Sequence, residues 1–114
     1  MSERKRTVHH FAGFSFDTGG GLSRGGEEVA LRARSLELLA MLVDNAGRVV
    51  TKDELLGGVW SGQTVSEDSL TQCVHEVRRA LGDTEQKLIR TVPKRGYTFA
   101  KEALDPAPVI EQPA

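Results

Sequence analysis

The chain has a single cysteine, Cys73. No internal disulfide can form, and the cysteine usage reads as that of a reducing compartment. Long apolar runs are also missing. The longest, Leu38 to Val43, is far too short to cross a bilayer. Behind Met1-Ser2-Glu3-Arg4-Lys5-Arg6 there is no apolar stretch of the kind a secretory signal needs. A cytoplasmic, soluble protein is therefore expected. Surplus charge is absent too: the net charge is −1, so any affinity for a polyanion must come from local clusters. No segment repeats with a period of 20–50 residues, which excludes a solenoid. With 114 residues and 39% apolar content, one domain with one modest core is expected.

Signatures of an enzyme or a cofactor site are lacking as well. His9-His10 has no second Cys/His pair at ligand spacing, and neighbouring strand residues point to opposite faces. Gly19-Gly20-Gly21 lacks the Lys-Ser/Thr of a phosphate loop and opens no helix, so it reads as a turn. Cys73 and His75 are two apart on a helix and do not face each other. No catalysis, cofactor, metal or small-molecule substrate is expected.

What is present has a clear order. Val8 to Asp17, with Phe11, Phe14 and Phe16, reads as one strand, broken by Thr18-Gly19-Gly20-Gly21. Leu22-Ser23-Arg24 and Glu28 to Leu31 read as two more strands around the Gly25-Gly26 turn. From Arg34 to Ala46, Leu36, Leu39, Leu42, Val43 and Ala46 recur at helical spacing, with Gly47 suited to a left-handed cap. Thr51 and Glu54 are spaced as a capping box for a second helix ending near Trp60. A third helix over 66–82 has Ser66 as N-cap and Leu70, Val74, Val77 and Leu81 as one buried stripe. Two β-prone runs around Pro93-Lys94-Arg95-Gly96 read as a hairpin over 87–100. Residues 1–7 read as a flexible basic start, 8–101 as the domain, and 102–114 as a Pro/Ala-rich acidic linker or tail.

If the stripe is buried, the third helix must expose Thr71, Gln72, His75, Glu76 and Arg79. That mixture differs from the Lys/Glu repeats of a plain solvated helix. Gln can pair with adenine, Arg with guanine, and a carboxylate can accept from cytosine. Lys94 and Arg95 form a basic hairpin tip suited to phosphates or a minor groove. Between Ser69 and Phe99, Arg78, Arg79, Lys87, Arg90, Lys94 and Arg95 face only Glu76, Asp83 and Glu85. Ordinary surface helices and hairpins also carry such residues; their conjunction is the informative feature. Trp60 fits a core aromatic as well as an indole donor to phosphate.

Gly47-Arg48-Val49-Val50-Thr51-Lys52-Asp53-Glu54-Leu55-Leu56, Val59-Trp60, Ser69-Leu70-Thr71-Gln72-Cys73-Val74, Val77 to Asp83 and Ile89 to Phe99 together resemble the OmpR/PhoB-type winged-helix family. The Ser-Leu-Thr-Gln wording is nearest its CadC/ToxR-like branch, which lacks a phosphorylated receiver. The resemblance implies an α+β winged helix-turn-helix: a four-stranded N-terminal antiparallel sheet, three helices and a C-terminal β-hairpin wing. It implies sequence-specific binding of double-stranded DNA and transcription regulation, with the third helix in the major groove. Thr71, Gln72, Glu76 and Arg79 would face bases. Trp60, Ser66, Ser69, Cys73, His75, Arg78, Thr91 and Tyr97 would meet the DNA backbone. Pro93, Lys94 and Arg95 would lie at the minor groove.

Departures from the family pattern are Asp68 and Glu76 where Arg is common, Pro93 where an Arg is common, and Arg32-Ala33 in place of Thr-Pro. The loop after Trp60, which in relatives can touch RNA polymerase, is short here. The resemblance also implies tandem direct-repeat half-sites. A monomer or weak dimer is expected when free, within what can be the cytoplasmic part of a longer, membrane-anchored regulator. A winged helix that binds protein rather than DNA is the alternative.

Overall fold

The computed structural model describes residues 6–17, 21–61, 63, 65–104 and 109–111. It has an N-terminal antiparallel sheet, three helices and a C-terminal sheet, the winged-helix arrangement. Strands β1 (Arg6–Phe11), β2 (Phe14–Asp17), β3 (Gly21–Arg24) and β4 (Glu27–Val29) form a meander. The expected single strand from Val8 to Asp17 is in fact a hairpin. Ala12 and Gly13 both take positive φ, 49° and 83°, and Phe11 pairs with Phe14. Two positive-φ residues are what a type I′ turn requires, and Ala-Gly is a weak advertisement for one. Gly25-Gly26 makes the same kind of turn between β3 and β4, as expected. The Thr18-Gly19-Gly20 break lies outside the described residues.

Secondary structure is also found outside the expected 8–101. Arg6 and Thr7 already belong to β1. At the other end, Lys101–Ala103 forms one 3-10 turn, Leu104 bridges to Phe11, and β8 (Val109–Glu111) pairs antiparallel with β1. Composition predicts a linker there because Pro and Ala bury little. Backbone pairing needs no such burial, and β8 occupies hydrogen-bonding positions that β1 would otherwise leave at a sheet edge. The rest of the basic start, Met1 to Lys5, lies outside the described residues, as do 105–108 and 112–114 of the tail.

Helix α1 (Ala33–Asp44) buries Ser35, Leu38, Leu39, Leu42 and Val43. It stops two residues before the expected Ala46, where the Asn45 side-chain amide donates to the Met41 carbonyl. Helix α2 (Lys52–Val59) is capped as expected on one side: Thr51 Oγ1 accepts from the Glu54 N–H at 3.1 Å. The reciprocal half of the box is replaced, because Arg48 engages the Glu54 carboxylate at 3.0 Å.

Helix α3 (Glu67–Leu81) follows the expected limits. Ser66 is its N-cap residue but makes no side-chain cap bond. The other end is a Schellman motif: Gly82 has φ 68°, its N–H donates to Arg79 O, and the Asp83 N–H donates to Arg78 O. Leu70, Val74, Val77 and Leu81 are all buried. At about 1.5–3 kcal/mol each, their burial outweighs the roughly 0.3–1 kcal/mol that Glu67 or Asp68 contributes at the dipole's positive end. The stripe fixes which face of α3 meets the core.

The wing is larger than a hairpin. Strands β6 (Ile89–Val92) and β7 (Gly96–Phe99) pair as expected, and β5 (Val50–Thr51) adds a third strand on the β7 side. Phe99 reaches back to the first sheet, its ring edge-on to Phe11 at 5.0 Å. One core thus joins the N-terminal sheet, the helices and the wing.

Candidate nucleic-acid interface

The solvent side of α3 carries Asp68, Thr71, Gln72, His75 and Arg79, all exposed. Their spacing makes one continuous strip over three turns, about 16 Å long. The wing tip stands beside its first turn: Lys94, Arg95, Lys52 and Glu67 line one cleft. Pro93, Lys94 and Arg95 are exposed. The tip is a four-residue turn closed by Arg95 N–H on Val92 O, with Pro93 second and Lys94 third at φ 66°. Proline followed by a positive φ is the type II pattern, and it makes the tip stiffer than a flexible basic loop. The Lys52 N–H donates to Arg95 O, tying the tip to α2.

Several expected contact residues turn inward. Arg78 is only 9% exposed. Its Nε and Nη2 donate to Ile89 O at 3.2 and 2.9 Å, and Nη2 donates to Thr91 Oγ1 at 2.9 Å. The guanidinium lies 5.9 Å from the Tyr97 ring centre. Burial pulls its pKa below the ordinary arginine value, and the charge of Asp83 opposes that shift. Arg78 and the buried Tyr97 therefore tie α3 to the wing rather than standing free for phosphates, and Thr91 serves as one acceptor for Arg78. Thr91 itself remains exposed. Cys73 is buried, its Sγ 3.4 Å from Ser35 Oγ, and burial pushes its thiol pKa up. Trp60 is buried beneath Arg34, whose guanidinium sits 5.8 Å from the ring centre. Ser66 and His75 are exposed and Ser69 is half-buried.

Glu76, among the expected base readers, has partners within the protein. Its carboxylate is already bound by Arg32 through Nε and Nη2, and by Ser35 Oγ at 2.9 Å. Arg32 first, then Ser35, hold the Glu76 carboxyl below its ordinary pKa. The side chain turns toward α1, not into the strip that Gln72 and Arg79 share.

The charge cluster is thinner than the sequence suggests. Lys87 pairs with Glu85, Arg90 pairs with Glu102, and Arg78 is buried. Lys94, Arg95 and Arg79 have no ion-pair or side-chain hydrogen-bond partner among the described residues. Within that cluster, these three are the cations without such a partner. No helix among the described residues is long and apolar enough to cross a membrane.

Residues 26–99 match the family described as "Transcriptional regulatory protein, C terminal". The chain belongs to that family. Among its family relatives, Transcriptional regulator HilA of Salmonella typhi is 34% identical over 104 residues, covering 90% of this chain and 19% of HilA. Transcriptional activator CadC of Escherichia coli K12 is 37% identical over 79 residues, covering 67% of this chain and 15% of CadC. The chain thus spans a fifth or less of these relatives. Among solved structures, the E. coli CadC DNA-binding domain aligns with TM-score 0.70 and 29% identity, over 86% of this chain and 94% of that one. The Klebsiella pneumoniae RstA DNA-binding domain in complex with the RstA box aligns with TM-score 0.68 and 28% identity, over 82% and 96%.

Within this family fold, sequence reading missed two groups of residues. Arg32 and Arg34 open α1 beside α3, and Arg34 Nη2 donates to Gln63 Oε1 at 2.8 Å. Cations at the start of a helix run against its dipole, which was the available signal. Asp83 is buried and accepts the N–H groups of Lys87, Leu88 and Ile89. Nothing in its spacing advertises that role.

Proposed function

We propose that this domain binds double-stranded DNA in a sequence-specific way, with α3 in the major groove and the wing tip at the adjacent minor groove, to regulate transcription. The observation that carries the reading is the exposed Thr71, Gln72, His75 and Arg79 strip beside the unpaired cations of the wing tip. A major groove roughly 12 Å wide admits a helix, and these side chains offer the donor and acceptor forks that base edges need. Thr71, Gln72 and Arg79 read bases. Ser66, Ser69, His75 and Thr91 meet phosphates. Pro93, Lys94 and Arg95 lie along the minor groove. The relatives named as transcriptional regulators and the RstA domain complexed with its box support this assignment.

Regulation then belongs to a longer cytoplasmic or membrane-anchored protein, consistent with the small share of each relative that the chain covers. The free domain is a monomer or weak dimer that occupies tandem direct repeats about 10–11 bp apart. The loop between Trp60 and α3 is the surface available to RNA polymerase.

Net charge −1 and the internal pairing of most cations favour a second reading, a winged helix that docks protein. Salt dependence separates the two. Lys94→Ala and Arg95→Ala should each weaken specific and random duplexes alike and lower the slope of log K against log salt by roughly 0.9. Unchanged slopes in both variants would remove the wing from the interface. Wild-type binding that ignores salt would favour the protein-docking reading.

A further inference from the structure

Arg32 lies at both concavities that flank α3: one lined with Ser69 and Gln72, the other with Glu76 and Arg79. Its side chain is 74% exposed, yet its Nε and Nη2 are held by Glu76, which Ser35 anchors in turn. A guanidinium has five N–H donors, and a bidentate carboxylate uses two. Three remain, with the plane of the group already fixed by the other two. An unheld arginine on this surface would lose its rotamer freedom on binding a phosphate; a clamped one has lost it already.

We propose that Arg32 contacts a DNA backbone phosphate beside the major groove and that Glu76 is its positioning residue, not a base reader; this rests on the DNA-binding reading above. The arrangement accounts for a carboxylate on the face that meets a polyanion. Glu76 is neutralised by Arg32 and turned toward α1, and what it presents to the duplex is the outer edge of the guanidinium. Arg34 has no carboxylate holding it: its Nη2 donates to Gln63 Oε1 and its Cζ lies 5.8 Å from the Trp60 ring centre.

The test uses the full chain with two duplexes, one selected from a random pool and one scrambled, titrated over a range of salt. Arg32→Ala should weaken both about equally, roughly tenfold, and lower the salt slope by about 0.9, with base preference unchanged. Arg32→Lys should keep the slope. Glu76→Ala should weaken binding roughly threefold when Arg32 is present, and should not weaken it in the Arg32→Ala background. Glu76→Gln keeps an acceptor for Ser35 and replaces Glu76→Ala if the latter melts early. A merely structural clamp would shift melting and leave the slope alone. An unchanged slope in Arg32→Ala overturns the proposal. So does Glu76→Ala relaxing one base pair equally in both backgrounds, which would restore Glu76 as a reader. If wild type binds neither duplex in a salt-dependent way, the DNA-binding reading fails first and this one with it.

Discussion

Gly96→Ala should be the most damaging single-methyl change in the wing. A Cβ at residue 96 would lie 2.0 Å from Val50 O, 2.9 Å from Thr51 Cα and 3.0 Å from Val50 C. All three are backbone atoms, so no side-chain rotation relieves the clash. The reason for glycine here is space: β5 crosses β7 at this point, with Thr51 opposite Gly96. Alanine must push β5 off β7 or shift the tip that Lys52 N–H holds through Arg95 O. Overpacking a tight site typically costs about 1–3 kcal/mol, and this one belongs at or above the upper end. For a domain of this size that is a fall in Tm of roughly 10 °C or more. Thermal melting and amide exchange at Thr51 and Tyr97 check it. A fall of less than about 2 °C would mean that β5 is not held against β7 as described.

Asp83→Ala is expected to cost about 3 kcal/mol by a different route. The carboxylate accepts three backbone N–H groups, from Lys87 at 2.7 Å, Leu88 at 3.1 Å and Ile89 at 2.9 Å. Leu88 and Ile89 are buried, so the bereaved donors cannot simply turn to water. Each unsatisfied buried donor costs about 1–3 kcal/mol. The loss also reaches the interface, because this link carries the chain from the end of α3 into β6, where Arg78 grips Ile89 O. Asp83→Asn, which keeps one acceptor oxygen, should cost at least about 1 kcal/mol. Urea denaturation of both variants measures the difference. Wild-type stability in Asp83→Ala would show that the link is ordered by something else.

These two residues illustrate where sequence reading stops. Leu70, Val74, Val77 and Leu81 announce α3 because burial imposes a period that survives in the sequence. Thr51 and Gly82 announce helix ends because caps need particular side chains or a positive φ. Gly96 and Asp83 act through contacts with Val50 O and with three N–H groups, and no local pattern encodes such partners. The hairpin at Ala12-Gly13 was missed because Ala is an uncommon residue at positive φ. The strand β8 was missed because pairing by backbone leaves little trace in composition.

At the candidate interface, the exposure of Thr71, Gln72, His75 and Arg79 followed from helix geometry alone, while Glu76, expected with them, is half-buried. The inward turn of Arg78 did not follow from it, since its partners Ile89 and Thr91 are 11 and 13 residues away. Glu76 and Arg32 are 44 residues apart, and only the packing of α1 on α3 brings them together.

Gln72 is the residue on which the assignment of α3 turns. It is exposed, one turn from Asp68 and one from Glu76, and it points away from the buried stripe. Titrating wild type and Gln72→Ala against the selected duplex and its scramble, with a thermal melt of each protein, tests the reading directly. Wild type should prefer the selected duplex by at least about a thousandfold. Gln72→Ala should lose about 1–3 kcal/mol on the selected duplex, keep its affinity for the scramble, and melt like wild type. A wild-type protein that binds both duplexes equally, or a Gln72→Ala variant that keeps the full preference, would contradict α3 as the reading helix.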